Sequence, residues 1–106
     1  MTEILVKPGA CKFETKIKAT IKDKKTREMD VEIESECKDV KKLSRSLKNI
    51  NSLEVLDSNF IDNEIYKKAD KYLEHVTCPI PCAILKAIEA EAGLALKKDV
   101  RIEFKK

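Results

Sequence analysis

Thr15-Lys16-Ile17-Lys18-Ala19-Thr20-Ile21 and, after a polar connection, Met29-Asp30-Val31-Glu32-Ile33-Glu34 decide the fold of this chain. From Cys11 onward the odd positions Phe13, Thr15, Ile17, Ala19 and Ile21 are the less polar ones, with Lys12, Glu14, Lys16 and Lys18 between them. In the second run Met29, Val31 and Ile33 alternate with Asp30, Glu32 and Glu34. Successive side chains of a strand point to opposite faces, so a period of two reads as a strand with one wet face. Lys22-Asp23-Lys24-Lys25-Thr26-Arg27 is then a polar turn, and the two runs predict an antiparallel hairpin.

On the N-terminal side, residues 3–7 read as a short strand stopped by Pro8-Gly9. On the C-terminal side the period changes directly after Cys37. Val40, Leu43, Leu47 and Ile50 recur at three- and four-residue steps, which predicts an amphipathic helix from Lys38 to about Asn49. Residues 51–61 are looser. Asp62-Asn63-Glu64 can cap a second helix that turns Ile65, Ala69, Tyr72 and Leu73 inward. A third helix begins near Pro79 or Pro81 and runs through Ile84, Leu85, Ile88 and Ala92 to Gly93, a residue suited to a left-handed C-cap. Val100, Ile102 and Phe104 alternate with Arg101 and Glu103 and predict a last strand over residues 99–104. The expected order is β-β-β-α-α-α-β: an α+β fold, a small antiparallel sheet with helices packed on one face. No linker, repeat or low-complexity stretch divides it, so residues 1–106 form a single domain.

Charged residues make up 39% and apolar residues 42% of the chain, the balance of a well-solvated globular protein. The net charge of +3 is the small difference between 22 bases and 19 acids, too even to imply a polyanionic partner. The Lys22–Arg27 segment carries an acid among its bases and reads as a solvated hairpin tip rather than a nucleic-acid surface. Trp and Gln are absent while Lys, Glu and Ile abound, a composition that suits a hot-growing prokaryote. No apolar run is long enough to span a bilayer, and Met1–Lys7 lacks the basic-then-apolar layout of a secretory signal. The expectation is a cytoplasmic protein without membrane association, whose cysteines stay reduced.

Those cysteines carry the chemistry. Cys11 follows Lys7-Pro8-Gly9-Ala10, Cys37 follows Glu34-Ser35-Glu36, and Cys78 lies in His75-Val76-Thr77-Cys78-Pro79. Each stands where an element should start or end. If the hairpin's start and its returning end are adjacent, Cys11 and Cys37 share one edge of the sheet, and the helix after Cys78 need only pack there to bring in a third sulfur. Helix N-termini offer unpaired N–H groups that favour thiolate over thiol. Three or four converging thiolates suit an iron–sulfur cluster or zinc. Cys82, four residues after Cys78, reads either as core packing or as a fourth ligand. His75, the only histidine, reads as a surface residue or as a ligand or proton donor beside Cys78. No Cys-x-x-Cys occurs, so neither a zinc ribbon nor a thioredoxin-type pair is indicated.

Pro8-Gly9-Ala10-Cys11, two strands, Glu34-Ser35-Glu36-Cys37 opening a helix, and His75-Val76-Thr77-Cys78 opening a late helix together resemble the IscU/NifU N-terminal iron–sulfur scaffold family. The resemblance spans about residues 8–92 and rests on element order and on cysteine spacing. It implies that fold, a three-cysteine cluster site at Cys11, Cys37 and Cys78, and protein partners in cluster or sulfur transfer. The chain departs from that family in three ways. Phe13 stands where the family has an Asp two residues after its first cysteine, Val76 and Thr77 separate His75 from Cys78, and the Pro-Pro-Val-Lys type docking segment is absent. Cys78-Pro79-Ile80-Pro81 and Ala92-Gly93-Leu94-Ala95-Leu96 also make the chain similar to small uncharacterised proteins of anaerobic bacteria and methanogenic archaea.

Three functional readings follow. The first is a small iron–sulfur or metal-binding protein using Cys11, Cys37 and Cys78, with Cys82, His75 or an exogenous ligand in the fourth position and zinc as the alternative metal. The second is a thiol-based sulfur-transfer enzyme or carrier with Cys78 as nucleophile. The third is a protein-binding module, in which an edge strand such as 3–7 or 99–104 could support a homodimer.

Overall fold

The computed structural model describes all 106 residues. β1 (Thr2–Val6), β2 (Thr15–Asp23) and β3 (Glu28–Glu34) form an antiparallel meander, followed by α1 (Lys38–Ser44), a two-residue strand β4 (Ile50–Asn51), α2 (Ser52–Asp57), α3 (Glu64–Tyr72) and α4 (Ile80–Glu91). The sheet order is β1-β2-β3-β4, antiparallel throughout. The fold is α+β, with helices against one face of a four-stranded sheet.

The alternation in the hairpin sets which face is covered. Register rows Thr2–Ala19–Val31, Ile4–Ile17–Ile33 and Ile21–Met29–Ile50 lie beneath the helices. On the opposite face the rows are Glu3–Lys18–Glu32 and Leu5–Lys16–Glu34. Opposite charges side by side on neighbouring strands contribute roughly 0.2–1 kcal/mol per pair and discourage a one-residue slip that would bury them. α4 lies chiefly across β1 and β2, with Ile80, Ile84, Ala87 and Ile88 fully buried at helical spacing. α1 adds Val40 and Leu43 against β3.

Three expectations change. The predicted first helix ends at Ser44 rather than near Asn49, because Leu47 turns into the core on a tight turn whose carbonyl accepts the Val31 N–H. The region read as loose holds β4 and α2. Ser52 is buried and hydrogen-bonded to the Arg27 carbonyl through both its N–H and its hydroxyl, a local signal too weak to show as periodicity. The last strand is not formed: residues 99–104 have no regular structure, and β4 takes the fourth place in the sheet. The second helix starts where its cap predicts. Asn63 Oδ1 accepts the N–H groups of Ile65 and Tyr66 at 2.9 and 3.3 Å, while Nδ2 donates to Val55 O and Ser58 Oγ, so one buried amide joins α2 to α3. At the end of α4, Gly93 takes φ +77°, as the sequence anticipates.

The antiparallel sheet has two ends with different work. At one end lie the start of β1, the β2–β3 turn and the C-terminus of α4. Glu91 Oε1 accepts from Thr2 Oγ1 at 2.8 Å, Oε2 accepts the Ile21 N–H at 3.1 Å, and the Met1 ammonium is 3.3 Å away. Arg27 Nη2 donates to Ala92 O at 2.6 Å. At the other end lie the exit of β1, the start of β2, the exit of β3 and the start of α4, and there the loops of Cys11, Cys37 and Cys78 meet the sheet.

Candidate functional site

Pro8-Gly9 stops β1 and puts Gly9 at φ +79°, a conformation that glycine reaches without steric cost. The chain then makes a single 3-10 turn over Gly9–Cys11, closed by the Lys12 N–H to Gly9 O at 3.0 Å. Cys11 is exposed on that turn. Cys37 is the residue preceding α1, with extended backbone angles and its carbonyl accepting the Lys41 N–H. It is half-buried against the core, which agrees with its inward parity in the sequence. Cys78 is also half-buried against the core, two residues before α4, and its N–H donates to His75 O at 3.1 Å.

Thr15 and Ser35 tie the first two cysteine loops together. Thr15 is buried, its hydroxyl donates to Phe13 O at 3.0 Å, and the Ser35 hydroxyl is 2.9 Å away. Ser35 Oγ in turn accepts the Cys37 N–H at 3.1 Å. One pair of hydroxyls therefore fixes the backbone just after Cys11 and just before Cys37, since each hydroxyl both donates and accepts.

Electrostatics link the third cysteine to the other two. Burial pushes the Cys78 thiol above its usual range, the Ile80 N–H opposes this by hydrogen-bonding the sulfur, and negative charge at Cys11, Cys37 and Asp39 raises it further. Asp39 belongs to the same neighbourhood, in the first turn of α1. Sequence reasoning looked for an acid two residues after the first cysteine, found Phe13, and overlooked the acid two residues after the second. The chain as folded here has no set of three His, Cys, Asp or Glu side chains in metal-holding geometry.

The remaining candidates stand apart from this group. Cys82 is exposed on α4 rather than packed in the core, and it lines a cavity of about 300 Å³ with Val55, Phe60, Tyr66 and Leu85. Burial and then the Cys82 charge raise the Tyr66 phenol, whereas Cys82 is not among the groups acting on Cys78. His75 is exposed and reaches Cys78 through its backbone carbonyl. The cysteines are all free thiols. No helix is long and apolar enough to cross a membrane.

Negative charge at Cys11, Cys37 and Asp39 opposes ionisation of Cys78, and a cation bound among them would relieve that cost. No curated protein and no solved structure matches the chain. One family profile does, over residues 2–104, and so takes in all three cysteine loops and the C-terminal segment: the chain belongs to DUF6951, a family of unknown function.

Proposed function

We propose that the protein binds a metal ion or iron–sulfur cluster through Cys11, Cys37 and Cys78, in a reducing cytoplasm. The observation that carries this reading is topological: Cys11, Cys37 and Cys78 lie on three separate loops that leave one end of the sheet. The donor set fits the group. Thiolates are the preferred ligands of iron–sulfur clusters and of zinc, and binding would expel the Cys78 proton that burial and neighbouring negative charge retain. Asp39, whose charge acts on Cys78, is a protein candidate for a fourth position, and an exogenous ligand is the other. With Cys11 exposed, a bound group would stay open to exchange with a protein partner in cluster or sulfur transfer.

The nucleophile reading has less support. A thiol held above its usual range is protonated at neutral pH, and only the thiolate attacks. In metal-free protein Cys78 should be alkylated more slowly than exposed Cys11 and Cys82.

Anaerobic preparation with iron, zinc and acid-labile sulfide quantitation and an absorption spectrum tests the proposal. The expected result is a stoichiometric metal or cluster lost in Cys37→Ser and retained in Cys82→Ala. A metal-free protein under all loading conditions, with its fold intact, would sink it. A colourless protein with one zinc on all four thiols would replace the cluster by a structural site.

A further inference from the structure

The sheet ends on a free edge, β1, and the chain ends on a segment that has the pattern of a strand but no partner. Val100, Ile102 and Phe104 are 57, 88 and 100% exposed, with Arg101 and Glu103 between them. Leu94 and Leu96 are exposed on the same parity. An alternating apolar segment left in water and an unpaired strand edge are each features that proteins ordinarily cover. Here they match each other. β1 presents Thr2, Ile4 and Val6 on the face that α4 covers and Glu3 and Leu5 on the wet face. A strand with Val100, Ile102 and Phe104 turned toward the helix face would extend the core, while Arg101 and Glu103 would lengthen the charged rows Glu3–Lys18–Glu32 and Leu5–Lys16–Glu34.

We infer that residues 99–104 add as a strand to the β1 edge of a second copy of the chain, in a reciprocal exchange that makes a two-fold dimer. In a single chain both the edge and the segment are unpaired. The chain leaves α4 at Ala92, pinned by Arg27 beside the β2–β3 turn, and every residue from Gly93 to Lys106 is exposed, in a molecule 46 Å long against 28 and 25 Å across. Two copies supply two segments and two β1 edges, so a closed two-fold exchange pairs each segment with one β1 edge and leaves neither segment free to recruit a third copy. The family match reaches residue 104, so the segment is part of the domain and not an appendage.

The test is the mass of the full-length protein in solution by light scattering and sedimentation, with amide exchange over residues 99–104. The expected result is a dimer with protected amides at 99–104. The variant carrying Ile102→Asp and Phe104→Asp should be monomeric, its far-UV circular dichroism close to wild type because these side chains are 88 and 100% exposed in the single chain. A monomer with freely exchanging tail amides overturns the inference. So does a monomer with protected tail amides, which would mean pairing with the chain's own β1, and so does a dimer that survives both substitutions. None of these readouts depends on metal content.

Discussion

The two ends of the sheet use polar groups in opposite ways. At the Glu91 end, charged and backbone groups are paired, the buried Arg27 Nε excepted: Glu91 with Thr2, Ile21 and the Met1 ammonium, and Arg27 Nη2 with Ala92, while the Arg27 carbonyl accepts twice from Ser52. At the cysteine end the Thr15–Ser35 hydroxyl pair is the side-chain bridge between the Cys11 and Cys37 loops, and negative charge at Cys11, Cys37 and Asp39 opposes ionisation of Cys78. Satisfied groups fix a fold, whereas unsatisfied ones of a single sign create a demand for a ligand. Stability and proposed function therefore sit about one strand length apart and should be separable by mutation.

The largest separation is expected from Cys78→Ser. Bound metal or sulfide should fall from stoichiometric to background, while the metal-free melting temperature stays within a few degrees of wild type, since the site is half-buried and the change nearly isosteric. Equal loss of fold and metal would show that the cysteine end is structural. Arg27→Ala should do the reverse. It removes a charged donor from a carbonyl at 2.6 Å and the packing of a long stem. A hydrogen bond to a charged group contributes about 1.5–3 kcal/mol, and each kcal/mol is about 4–8 °C in a domain near 100 residues. Thermal denaturation should drop by that amount with metal stoichiometry unchanged.

How far each end was legible follows from the same physics. The hairpin, α4 and the Asn63 cap declared themselves because burial on one side imposes a period, and caps impose residue types at fixed offsets. The end from which each cysteine departs followed from element order alone. Asp39 did not, because nothing in Cys37-Lys38-Asp39 marks an acid as acting on a sulfur until α1 is set against β3 and α3, near the loop that carries Cys78. β4 and α2 were illegible for a different reason: two- and six-residue elements are too short for periodicity and are held by tertiary bonds to Arg27. Residues 99–104 show the converse case. Their alternation is genuine, yet pattern alone does not say which edge, or which molecule, completes the pairing.

Ser35→Ala sharpens the comparison by weakening the brace without touching a sulfur. The Cys37 N–H loses its acceptor and Thr15 loses its neighbour, but the ligand set remains whole. Loss of an outer partner that orients a ligand typically costs 10–100-fold in metal affinity. Competition with a chelator should show a loss of that size, with stability lowered by only about 1 kcal/mol. Unchanged affinity would mean that the metal itself organises the Cys11 and Cys37 loops.

The smallest effect concerns pH, and the two ends should respond on opposite sides of neutrality. Burial alone would raise the Glu91 carboxyl, but hydrogen bonds from Thr2 and Ile21 and the nearby ammonium hold it below its ordinary value. A carboxyl whose folded pKa is depressed contributes stability that is present above the unfolded pKa, about 4.3, and is lost as pH falls through the folded value. Cys78 is shifted the other way. Its folded state holds the proton more tightly, so metal-free stability declines as pH climbs past the ordinary thiol pKa of about 8.5. Denaturant titrations should therefore show Glu91→Gln less stable than wild type at pH 7, by about 1 kcal/mol, with the gap closing below pH ~4. Cys78→Ser should remove part of the alkaline decline and leave the acid limb alone. A single substitution that flattened both limbs would mean that the two ends are coupled through α4, the one helix that touches both.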